Sequence, residues 1–161
     1  MSFEIINIFS PLAEKQAMTE ILKCNDYSQK FGLTLTEINA AELIETRKLS
    51  LKNNGRIEFG SGIIDKIIRE FCDSPYLNNQ NYPTILNELV NIFYFYKNET
   101  LDLVSDCDLI KFMKKSFDGI CQGSVELLYG RELNDFSEKI QDGYDFNPEI
   151  EYTDDETDED I

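Results

Sequence analysis

In 161 residues, 42% of them hydrophobic and 29% charged, there is room for one folded domain of ordinary size. Thirty-one acids against fifteen bases give a net charge of -16, which argues against the clustered basic footprint that nucleic acids and anionic membrane surfaces require. Histidine is absent, and with it go Ser-His-Asp and Cys-His chemistry, imidazole metal ligands and an imidazole pH switch.

Residues 3–9 (FEIINIF) form a short apolar run that predicts a strand or an extended arm. Glu4 and the lack of a basic stretch there argue against a secretory signal. Ser10 and Pro11 then predict a helix start, with Pro in the first turn, running toward Phe31 and stopping at Gly32. Thr36 opens a second helix through Leu51, closed by Asn53-Asn54-Gly55. Arg56 to Gly62 (RIEFGSG) reads as a turn with one short extended stretch.

A third helix, Ile63 to Cys72, sets Ile64, Ile67, Ile68 and Phe71 on one face and charged residues on the other; Ser74-Pro75 ends it. A fourth, with Pro83 in its first turn, runs to about Lys97 and is apolar over most of its circumference, which predicts a central position. Its run Ile92 to Tyr96 is the longest apolar stretch and is far short of a membrane span. Ser105 with Asp108 resembles a capping box for a fifth helix to Phe117. After the glycine-punctuated turn DGICQGS, a sixth spans about Val125 to Gln141.

From Gly143 the pattern changes. Residues 143–161 hold nine acids and no base, leaving 22 acids against 15 bases, or -7, in the rest. Large self-repulsion with little apolar gain predicts a disordered acidic tail. The expected architecture is therefore all-α: a single-domain irregular bundle of five to six helices over residues 1–142, followed by that tail.

Arg47 and Glu132 are the anomalies. Arg47 projects into the stripe of Ala40, Leu43, Ile44 and Leu51, and Glu132 falls among Val125, Leu128, Tyr129 and Phe136 on an ideal wheel. Opposite charges on two apolar faces suggest a buried ion pair between helices, or a polar anchor for a ligand in a pocket beside them.

Other candidates carry less. Cys24, Cys72, Cys107 and Cys121 contain no C-x-x-C pair; reduced, mostly buried thiols are the expectation, rather than zinc ligands or a nucleophile. Carboxylate pairs such as Glu42 with Glu45, or Asp106 with Asp108, read as solvated helix faces. The clusters GSG (60–62) and GICQG (119–123) precede helices and could meet an anion, but tight turns explain them, since no P-loop lysine follows. The aromatic run Phe93 to Tyr96 lacks the basic neighbours of a base-stacking platform and reads as core. No metal and no cofactor is expected.

The strings ELIETRK (42–48), GRIEFGSGII (55–64), FCDSPY (71–76), KNET (97–100) and GRE (130–132) together resemble an uncharacterised bacterial family, a domain of unknown function, over about residues 30–140. The resemblance implies a bacterial, cytoplasmic protein and transfers no site. The composition then favours a non-enzymatic protein-protein interaction or regulatory module, with an unidentified protein partner and neither nucleic acid nor membrane bound. The alternative is a small-molecule anion sensor or enzyme with an interhelical pocket near Arg47 and Glu132. A third reading, nucleic-acid mimicry by the acids, fits poorly with a body charge of only -7.

Overall fold

The computed structural model describes residues 2–58 and 62–146, and among these every regular element is helical. The chain is all-α. It divides into two compact units, Met1–Phe95 and Tyr96–Ile161, with the boundary inside the longest apolar helix.

The first unit opens with α1, Ser2–Lys23, where the sequence suggested an extended arm up to a helix start at Ser10. A short segment of Phe and Ile interrupted by Glu4 and Asn7 fits a strand and a helix equally well, and here the helix runs through Pro11 although proline removes one backbone bond. The predicted stop at Gly32 is met in steps. The chain turns at Cys24, forms a single helical turn α2 (Asn25–Ser28), tightens into a 3₁₀ turn Gln29–Phe31, and reverses at Gly32 with φ +78°.

The long α3, Glu37–Asn53, starts on a reciprocal capping box: the Asn39 N–H donates to Thr36 Oγ1 and the Thr36 N–H to Asn39 Oδ1. It ends in a Schellman motif, with Gly55 at φ +65° and N–H bonds from Arg56 to Leu51 and from Gly55 to Lys52. Helix α4, Gly62–Phe71, buries Ile63, Ile64, Ile67, Ile68 and Phe71.

Helix α5, Tyr82–Glu99, follows, and within the first unit Tyr82, Leu86, Leu89, Val90, Ile92, Phe93 and Tyr94 are all buried, as its largely apolar circumference requires. α1 packs on α3 and also touches α2 and α4. Between α3 and α5, Thr46 bonds Asn87 at 2.5 Å and Ser50 bonds Asn91. Both partners advance by four residues together, so the two helices run parallel at this polar seam.

The second unit begins with the end of α5 and contains α6, Asp106–Asp118, the single turn α7, Val125–Leu127, and α8, Leu133–Gln141. Ser105 caps α6 by accepting from the Asp108 N–H. α7 runs into α8 through a π turn, Leu128–Glu132, so 125–141 is helical throughout but not uniformly α. α8 closes on a second Schellman motif: Gly143 sits at φ +101°, and the Tyr144 and Gly143 N–H groups bond the Lys139 and Ile140 carbonyls. The reversal brings Phe146 edge-on against Phe112 of α6 and Phe136 of α8, which stack on each other with centroids 4.1 Å apart. The disorder expected for the acidic tail concerns residues that, from 147 onward, lie outside those described; so do residues 59–61 of the glycine-rich turn.

Candidate functional site

Arg47 lies where the periodicity of α3 puts it, inside the apolar stripe, its side chain only 12% exposed. The carboxylate that meets it is Glu58, in the segment after α3, with Nη2 to Oε1 at 3.5 Å. Tyr94 of α5 donates its hydroxyl to the same Oε1 at 2.7 Å. Burial, with the Glu58 carboxylate second, holds the Tyr94 hydroxyl well above the usual phenol range, so it acts as a neutral donor. Arg47 Nε is buried without a hydrogen-bond partner.

Glu132, the partner suggested by the helical wheel, belongs to the second unit and takes Arg131 at 3.0 Å, with its side chain 22% exposed. The π turn explains why the wheel misplaced it. An α-helix stepping by four from Leu128 would bury residue 132; the inserted π residue advances the phase, and Leu133 is buried instead. The carbonyl of Tyr129 within that turn accepts the Tyr96 hydroxyl, and the two rings meet at 5.7 Å.

A second polar convergence ties the turn around α2 to α4. Asp65 Oδ1 accepts from the Cys24 thiol at 3.1 Å and the Tyr27 hydroxyl at 3.2 Å, and Arg69 Nε lies 3.0 Å from Oδ2. The Arg69 guanidinium lies over the Tyr27 ring, 4.4 Å from its centroid. Burial pushes the Cys24 thiol up to about 12, so at neutral pH it is a protonated donor and no nucleophile. Cys72 and Cys121 are also buried, and Cys107 is exposed. Among the described residues no three potential ligands group in a way that could hold a metal ion, and no helix is long and apolar enough to cross a membrane.

Besides single exposed side chains such as Ile57 and Ile38, the described residues carry two apolar surface features that involve several side chains. An open groove of about 460 Å³ between α1 and α3 has Met18, Ala41 and Ile44 in its lining, together with Glu14, Lys15 and Glu45. It brings no converging donors together. The second feature is the turn after α5, which no sequence signal announced. It is built as a Schellman motif, with N–H bonds from Asp102 to Lys97 and from Leu101 to Asn98.

The residue at the left-handed position of that motif is not glycine but Leu101, φ +58°, and Asp102 follows at φ +58°. A β-carbon there costs about 1–2 kcal/mol. The turn is nevertheless locked: Lys97, 7% exposed, donates to the Val104 carbonyl and pairs with Asp106 at 2.9 Å. Thr100 is fully buried and bonds back to the Tyr96 carbonyl at 2.8 Å. What this rigid strained turn holds out to solvent is Leu101, 60% exposed, and Leu103, 69% exposed.

Against known proteins, the model of a family of unknown function (DUF6323) matches residues 20–146. No curated protein and no solved structure matches.

Proposed function

Since the chain belongs to that family of unknown function, we propose from its own geometry that it is a non-enzymatic interaction module, cytoplasmic, which engages a protein partner through the turn after α5. The single observation that carries this reading is Leu101 at a glycine position. A turn that is strained by its side chain, clamped by a buried lysine, and uses both to display two leucines spends stability on presentation. The partner surface is an apolar depression that takes Leu101 and Leu103 as anchors. Affinity capture from the source cell with the full chain, beside L101G and Leu103→Ser variants, tests it. A partner retained by the parent chain and lost on both variants supports the assignment. Equal retention on all three removes the turn from the interaction, and a protein that captures nothing specific leaves the module reading without support.

A second reading rests on Arg47 alone. Its buried Nε lacks an acceptor, which suits a small carboxylate or phosphate entering beside Glu58. Thermal shift with phosphate and short dicarboxylates decides this: stabilisation of the parent chain that R47M lacks would favour a sensor, and no shift would retire it.

A further inference from the structure

The turn after α5 is charged as well as apolar. Residues 97–108 hold four acids, Glu99, Asp102, Asp106 and Asp108, against one base, Lys97, for a net charge of -3. That base is held inside the turn: Lys97 is 7% exposed, and its ammonium is shared between the Val104 carbonyl and the Asp106 carboxylate. Asp106 is thereby neutralised, whereas among the described residues neither Glu99 nor Asp108 meets a base. Gln141 donates to the Glu99 carbonyl at 2.7 Å and brings the end of α8 alongside, where Glu138, Lys139 and Asp142 are exposed and sum to -1. The Tyr96 hydroxyl registers this field. Burial first, and then Tyr129, Glu99 and Asp135, push it up to about 12.

A partner that buries Leu101 and Leu103 brings its own rim close to Glu99 and Asp108, well inside a Debye length of about 10 Å at 0.1 M salt. An acidic rim is repelled there, and an apolar one strips water from carboxylates without replacing it. We infer that the turn docks into a basic-rimmed apolar cleft of another protein, with Leu101 and Leu103 filling the cleft and Glu99 and Asp108 meeting lysine or arginine at its edge. This rests on the turn being the docking surface, and it adds the chemistry of the surface it meets. A second copy fits worse, because each chain carries -16.

The exposed Cys107, four residues after Leu103, takes a benzophenone maleimide on the full chain, the other described cysteines being buried. After irradiation in an extract of the source cell at about 0.05 M salt, the cross-linked partner peptide should combine apolar residues with more lysines and arginines than acids. E99Q/D108N should lower the yield roughly fivefold, as the loss of two exposed pairs allows. Salt at about 0.5 M should lower it at least as far. E42Q/E88Q, an equal change of charge at two exposed positions of the first unit, should leave it unchanged, and circular dichroism should show all variants equally helical. If L101G and Leu103→Ser abolish the cross-link while E99Q/D108N and high salt do not, the turn stands as the docking surface and the basic rim is refuted. If E42Q/E88Q lowers the yield as much as E99Q/D108N, net charge acts instead of the rim and the inference falls. A cross-link into a second copy overturns it too. One that survives the leucine variants, or no cross-link at all, removes the docking turn and the rim together.

Discussion

Leu101 allows the strain on the turn to be weighed directly. Its side chain is 60% exposed, so truncation to alanine forfeits only part of the burial of a leucine, about 0.6–1.2 kcal/mol from a full value of about 1.5–3. Alanine keeps the β-carbon and hence the left-handed penalty. Glycine loses the same side chain but relieves about 1–2 kcal/mol at φ +58°, less the roughly 0.4–1 kcal/mol that its freer unfolded chain gives back. L101A should therefore be less stable than the parent by about 1 kcal/mol, and L101G should lie close to the parent, about 0.5–1 kcal/mol above L101A. Urea unfolding followed by far-UV circular dichroism reads this as a shift in midpoint at constant slope. In melting temperature, 1 kcal/mol corresponds to about 2–4 °C for a chain of this size. If glycine is no more stable than alanine, the turn stores no strain and the case for a built presentation site falls with it.

Removing Glu58 as Ala should cost roughly 2–3 kcal/mol, below the roughly 3–5 kcal/mol of a fully buried pair because both side chains keep some solvent contact; Glu58→Gln, which can still accept from Tyr94, should cost less, and equal losses in urea would mean the Arg47 charge is not what matters. Lys97→Met should lose about 2 kcal/mol, since the buried Val104 carbonyl is left without its donor; amide exchange should quicken first in residues 100–104, and uniform quickening would contradict a local clamp. Alkali should destabilise the fold. Burial pushes the Cys24 thiol and the Tyr96 hydroxyl up to about 12, so the folded chain holds these protons more tightly than the unfolded one. Their contribution is intact below the ordinary thiol value of about 8.5 and phenol value of about 10, and it declines as pH rises from there toward about 12. A urea midpoint unchanged between about pH 8 and 11 would refute this.

The helices were legible where one physical signal dominated. Thr36 and Ser105 announced their caps, Gly32 and Gly55 their reversals, and the isoleucines of α4 their buried face. Arg47 was legible as a charge on a core stripe, because α3 keeps its period throughout. The N-terminal residues were not, since a short apolar run carries no phase that separates strand from helix.

Sequence alone determined an all-α chain, the positions of most helix ends, the absence of histidine chemistry and the acidic imbalance, all of which depend on neighbours a few residues apart. Only the tertiary structure decided which carboxylate meets Arg47, because Glu58 reaches it from an irregular segment with no period to extrapolate. It alone exposed the π turn, whose extra residue moves Glu132 off the face that an ideal wheel assigns. The strained turn at Leu101 was hidden for the same reason. A leucine in a glycine conformation looks, in sequence, like any other leucine, and only the clamp from Lys97 across the turn shows that the backbone is held there.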